Sequence, residues 1–136
     1  MTMTVKTSEV LPIRAEGDVV MVRQRARAVA VEMGLGLVDV TKLVTATSEL
    51  ARNALIYGGG GTALIEGLLE GTRKGVRLTF EDQGPGIPDI DQAMTDGWTS
   101  GSGMGLGLSG AKRLSNEFEI TSAPGQGTRV MIARWK

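Results

Sequence analysis

Three observations predict an α/β (α+β) two-layer sandwich, a mixed and mostly antiparallel sheet under helices. Two early stretches repeat their apolar residues at the helical period. Four later stretches read as strands, in pairs joined by glycine-containing turns, and a run of alternating glycines opens a helix between the pairs. In chain order this gives β-α-α-β-β-(lid)-α-β-β, a single domain over residues 1–136 with one core.

Glu9 to Arg14 is the first strand, and Pro12 assigns it to an edge; residues 1–4 are expected to fray. Asp18 opens the first helix. Its apolar positions Val19, Val22, Ala26, Val29, Ala30 and Met33 share one face, and Gly34 and Gly36 end it. The second helix is the centre of the pattern. Asp39 suits its N-cap; Val40, Leu43, Val44, Leu50, Ala51, Ala54 and Leu55 form its core stripe, and it closes at Tyr57. Glu49, Arg52, Asn53 and Ile56 lie on its other side. Gly58 to Gly61 read as a C-cap and turn with no chemistry assigned.

Thr62 to Leu69 and Val76 to Asp82 are strands joined by a hairpin over residues 71–75. Parity in the second puts Val76, Leu78 and Phe80 on one side, with Asp82 beside them. A carboxylate ending a core-facing row is costly without a partner. It precedes Gln83-Gly84-Pro85-Gly86-Ile87-Pro88, a sharp turn that leaves room above the strand end; an aspartate merely capping that turn fits the motif equally well. Asp89 to Met94 form a short helix, and Thr95 to Ser102 a mobile lid. In Gly103-Met104-Gly105-Leu106-Gly107 the glycines alternate with apolar residues and run into a helix ending near Glu117. Unshielded backbone N–H groups there favour anionic oxygens such as phosphates. Phe118 to Ser122 and Thr128 to Trp135, around Pro124-Gly125-Gln126-Gly127, complete the sheet.

Composition narrows the chemistry. Fifteen basic residues balance fifteen acidic ones, so no basic excess points to nucleic acid. No His and no Cys are present, which excludes imidazole general bases, catalytic triads, thiolate nucleophiles and zinc-thiolate sites. Proton transfer falls to a carboxylate, Lys, Tyr or water. No apolar run is long enough to span a membrane and no signal pattern opens the chain, so a cytoplasmic protein is expected. Glu49 and Asn53, one turn apart, could converge on one ligand, the carboxylate taking a proton and the amide oxygen holding a hard cation such as Mg²⁺. A solvated helix face is the competing account of that pair.

Four segments in this order, Glu49 to Asn53, Asp82-Gln83-Gly84-Pro85-Gly86, Gly103-Met104-Gly105-Leu106-Gly107 and Gly125-Gln126-Gly127-Thr128, resemble the N, G1, G2 and G3 boxes of the Bergerat-fold (GHKL) ATPases. The resemblance covers nearly the whole chain. It is to the anti-sigma-factor serine kinase branch, through Ser48-Glu49-Leu50-Ala51-Arg52-Asn53 and Glu81 to Ile90. A histidine kinase would need a phosphoacceptor His, and a gyrase or chaperone would need further domains.

The resemblance implies ATP and Mg²⁺ as cofactors. Asp82 would accept from the adenine amino group, Thr128 would assist through a water, and Gly84, Gly86 and Ile87 would border the base. Asn53 would hold Mg²⁺, with Gly103, Met104, Gly105, Leu106 and Gly107 around the phosphates. Glu49 would be the catalytic base for a serine or threonine hydroxyl of a STAS-domain protein. A PP2C-type phosphatase would be a second partner, activated by binding when the kinase is released. The alternatives are a nucleotide-dependent binding module and an anti-sigma factor without kinase activity. Arg52, Lys112 and Arg113 are equal candidates for contacting the transferred phosphoryl group, and oligomeric state is left open.

Overall fold

The computed structural model describes residues 2–95 and 107–136. Its elements run β1 (Met3–Ile13), α1 (Glu16–Glu32), α2 (Leu37–Ile56), β2 (Gly61–Glu70), β3 (Arg73–Asp82), α3 (Ile90–Ala93), α4 (Gly107–Arg113), β4 (Glu117–Ser122) and β5 (Thr128–Trp135). The sheet order is β1-β2-β3-β5-β4, and every hydrogen-bonded pair of strands is antiparallel. The sheet is therefore wholly antiparallel rather than mixed. Strands β3 and β4 run the same way, but β5 lies between them.

Alternation sets which face is buried. Ala63, Ile65, Val76, Leu78, Phe80, Val130 and Ile132 point toward the helices and meet Val19, Val22 and Ala26 of α1 and Leu43, Leu50 and Ala51 of α2 in one apolar cluster. Burial of each larger side chain there contributes about 1.5–3 kcal/mol before entropy is counted. Thr47, off the expected stripe, is also fully buried, with a hydroxyl that has no partner among the described residues.

Several boundaries move for identifiable reasons. Strand β1 begins at Met3 because β2 is long enough to pair with it from Met3↔Glu70 to Ile13↔Gly61, so residues 3 and 4 are in the ladder. It is an edge strand, as Pro12 requires. Helix α1 starts at Glu16. Asp18 sits inside it and reaches back to accept from the Arg14 and Ala15 amides at 2.8 and 3.1 Å. Gly36, not Asp39, is the N-cap of α2; Asp39 lies in the first turn and pairs with Arg134 at 2.8 Å. The β2–β3 hairpin closes on Gly71 and Thr72 alone, since Glu70 already pairs with Arg73. Helix α4 stops at Arg113, and Glu117 opens β4.

Candidate active site

The site begins at the ends of three neighbouring strands. Asp82 on β3 is directly opposite Thr128 on β5, and Thr128 is opposite Ser122 on β4, so three polar side chains form a row on the helix-facing side. Helix α2 crosses above that row and brings Leu50, Asn53, Ala54, Tyr57 and Gly58 to it. Pro85 to Pro88 and Ala93 form one side, and Gly107 and Leu108 of α4 another. Together they enclose a cavity of about 250 Å³, just below the ~300–1,000 Å³ common for small-molecule sites. Its walls are mostly apolar, with Phe80 and Val130 beneath and a few polar groups aimed inward.

Missing side chains let the pieces meet. A Cβ on Gly58 would lie 2.6 Å from Asp82 Oδ2, and one on Gly84 would lie 2.7 Å from Gly58 Cα. The end of α2 and the loop after β3 therefore touch backbone to backbone, with the Asp82 carboxylate held between them. Gly58, to which sequence analysis assigns no chemistry, thus belongs to the cavity wall. Only its spatial neighbour reveals this, so no local sequence signal could have. Gly86 (φ 79°) and Gly127 (φ 75°) adopt backbone conformations that side chains disfavour, and a Cβ on either would collide with a carbonyl oxygen, that of Ala123 or Asp82. Gly107 lies against the Asn53 amide with no room for a Cβ.

Hydrogen bonds fix the loops. The Gly84 amide donates to Asp82 Oδ1 at 2.9 Å, orienting the carboxylate. The Gly125 amide donates to the Pro85 carbonyl at 2.7 Å, and the Ile87 amide to Ser122 Oγ at 2.8 Å, stitching the loop after β3 to the β4–β5 turn. The sequence reading makes Ser122 a strand end with no role in the site. Its parity with Thr128 across the hairpin was the available signal.

Of the residues expected in the site, Asn53, Asp82, Gly86, Ile87, Gly107 and Thr128 line the one cavity. Gly84 lies just behind it through its bond to Asp82. Gly103, Met104, Gly105 and Leu106, and the lid from residue 96, lie outside the described residues. Glu49 is one turn before Asn53 on α2, half-buried and outside the cavity lining. Neither it nor Asn53 has a side-chain hydrogen bond or ion pair among the described residues. Arg52, Lys112 and Arg113 do not line the cavity. No group of three or more acidic side chains that could hold a metal occurs among the described residues, so a cation here would draw most of its ligands from a bound anion and water. Likewise no described helix is long and apolar enough to cross a membrane.

Comparison with known proteins places this geometry in a family. Residues 38–136 match the family described as "Histidine kinase-, DNA gyrase B-, and HSP90-like ATPase". The chain is 46% identical over 123 residues to the serine/threonine-protein kinase RsbT of Bacillus subtilis (strain 168), covering 90% of this chain and 92% of that one. It is 30% identical to an anti-sigma F factor of Clostridium novyi (strain NT), covering 71% of each. Among solved structures, the RsbU and RsbW domains of a Mycobacterium tuberculosis protein superpose with a TM-score of 0.67 at 20% identity, over 96% of this chain and 33% of that longer chain. The mycobacterial sensor histidine kinase MprB gives a TM-score of 0.57 at 19% identity, over 95% of this chain and 97% of that one. These two likenesses concern the fold alone. The chain belongs to the histidine kinase-, DNA gyrase B- and HSP90-like ATPase family, and within it to the serine/threonine-protein kinase group that includes RsbT.

Proposed function

We propose that this chain is an ATP- and Mg²⁺-dependent protein serine/threonine kinase of a bacterial partner-switching pathway, acting on a STAS-domain protein of the anti-sigma-antagonist kind. The observation that carries this reading is the convergence of Asp82, Thr128, Asn53 and Gly107 on one cavity, with the carboxylate of Glu49, unpartnered among the described residues, one turn from Asn53. The family resemblance supplies the partner class. It also suggests that the kinase, once released, activates a PP2C-type phosphatase by binding it.

In this mechanism Asp82 accepts from the exocyclic amine of the base, with Thr128 beside it. Gly84, Gly86 and Ile87 allow the ring to approach the backbone. The amides around Gly107, together with Gly103 to Leu106 outside the described residues, donate to phosphate oxygens. Mg²⁺ would be held by the Asn53 amide oxygen and the phosphates, and would supply charge neutralisation. Glu49 takes the proton of the acceptor hydroxyl as its oxygen bonds to the γ-phosphorus. The bond to the bridging oxygen breaks, and ADP carries away that electron pair.

Glu49→Ala and Glu49→Gln should lower phosphoryl transfer by about 10²–10⁴-fold while Mg-ATP binding is retained. Full transfer activity in a folded Glu49→Ala protein would remove Glu49 from the role of general base, and absence of transfer by the wild type would overturn the kinase reading. The anti-sigma F factor relatives favour a second reading, in which nucleotide occupancy controls which partner is held and transfer is secondary. Partner binding that depends on nucleotide but survives unchanged in Glu49→Ala, with no transfer in the wild type, would select it.

A further inference from the structure

Hydroxyl protons at the strand ends can be assigned by counting. Ser122 Oγ lies 2.9 Å from the Gly127 carbonyl oxygen, 2.8 Å from the Ile87 amide nitrogen and 2.8 Å from Thr128 Oγ1. A carbonyl oxygen only accepts, so the single Ser122 proton goes to Gly127. The Ile87 amide only donates, which uses one Ser122 lone pair. The remaining bond then requires Thr128 to donate into the second lone pair. This is the one assignment that makes all three bonds, and it saturates Ser122 completely. Thr128 has no proton left for the cavity and presents only oxygen lone pairs to it. Its cross-strand neighbour Asp82 presents a carboxylate, with Oδ1 already accepting from Gly84.

We propose that Ser122 is a specificity-determining residue. By fixing the polarity of the Thr128 hydroxyl, it makes the floor of the cavity an acceptor-only surface that takes a 6-amino purine and rejects a 6-oxo purine. This rests on the nucleotide reading above and deepens it. The exocyclic amine of adenine offers two N–H donors to such a floor, directly or through a water. With position 6 held on the floor, a 6-oxo group sets oxygen lone pairs against oxygen lone pairs, and its N1–H reaches an acceptor only if the ring shifts from the adenine pose; a desolvated mismatch of that kind is penalised. Without the Ser122 hydroxyl, Thr128 is free to rotate and donate, and the floor accepts either base.

The test is calorimetric titration of ADP and inosine diphosphate, both with Mg²⁺, into the full chain. The two ligands differ at two neighbouring positions of the purine edge, a 6-amino donor and N1 acceptor in adenine against a 6-oxo acceptor and N1–H donor in hypoxanthine. Wild type should prefer ADP by about 100-fold. Ser122→Ala should bring the ratio to about 10-fold or less, and Ser122→Thr, which keeps a hydroxyl, should restore it. Thr128→Val deletes the acceptor together with the Ser122–Thr128 bond, and leaves the Ser122 bonds to Gly127 and Ile87 in place. It should lower ADP affinity several-fold more than inosine diphosphate affinity, which gives an independent readout if Ser122→Ala does not fold. A Ser122→Ala protein that weakens both ligands equally would make Ser122 a loop brace only and overturn the proposal, as would an unchanged ratio in Thr128→Val. Equal binding of both ligands by wild type would also overturn it while leaving the nucleotide site standing. Binding of neither would remove the nucleotide reading and the proposal together.

Discussion

The two ends of the sheet treat polar groups in opposite ways. At the end of β3 that carries Asp82, acceptors are left open: Thr128 Oγ1 has spent its proton on Ser122, and the Asp82 carboxylate takes one described hydrogen bond, from Gly84. At the other end nearly everything is spoken for. Arg134 reaches Asp39 at 2.8 Å and the Leu114 carbonyl at 3.1 Å; Trp135 donates its amide to Asn116 and its indole N–H to Glu117, while Arg73 lies 4.0 Å above its ring. Both ends are built from the same β3–β5 ladder. The difference teaches where stability and function are separated: one end joins α2, α4, β4 and β5 into a frame, and the other keeps acceptors available for a ligand.

Substitutions at each end should move different quantities. The largest effect on binding is expected for Asp82→Asn. It removes a charged acceptor and places an NH₂ group on the floor, so Mg-ATP affinity should fall at least about 10–100-fold with little change in melting temperature. Gly58→Ala comes next. Its methyl would lie 2.6 Å from Asp82 Oδ2 with Gly84 closing the other side, so the carboxylate must move. Affinity should drop about tenfold and stability by about 1–3 kcal/mol, the usual cost of overpacking. Unchanged affinity in a folded Gly58→Ala protein would break the idea that α2 and the loop after β3 jointly hold Asp82. At the opposite end, Arg134→Leu strands a partly buried Asp39 and frees the Leu114 carbonyl. Urea unfolding should register a loss of about 1–3 kcal/mol, with Mg-ATP affinity of the remaining folded protein within twofold of wild type. A large affinity loss there would mean the two ends are coupled rather than separate.

How far the sequence reached can be followed along individual residues. Alternation puts Asp82 on the core-facing side of its strand, because a period of two leaves no other choice, and the helical period finds five buried positions of α1 and its buried C-cap Met33 without error. Thr47 was missed because periodicity counts only apolar types. Asp18 and Asp39 both read as helix starts and both lie at N3, since an acidic residue at N3 satisfies the same dipole and amide preferences as one at the N-cap; only the backbone path separates the two. The cavity was legible as a set of motifs and illegible as a set of contacts. Gly58 joins it through Asp82, 24 residues away in the chain, which nothing in its local composition encodes, whereas Ser122 is reachable by parity with Thr128 across the hairpin even though its bond to Ile87 is not.

The smallest effect tests the comparison where it is most easily mistaken. Glu81 and Arg129 form a cross-strand ion pair at 3.3 Å immediately beside the Asp82–Thr128 pair, so sequence proximity alone would make them site residues. Parity puts them on the opposite face of the sheet, where both side chains are about half exposed. An exposed pair is screened by water and salt and must order two long side chains, so its net contribution is about 0–1 kcal/mol. Arg129→Gln should therefore shift unfolding free energy by less than about 0.5 kcal/mol, leave Mg-ATP affinity unchanged, and leave the ADP to inosine diphosphate ratio at its wild-type value. A tenfold change in affinity from this substitution would mean that the outer face of the sheet communicates with the cavity. The functional end would then be a through-sheet unit, and the separation between a binding face and a structural face at the strand ends would be lost.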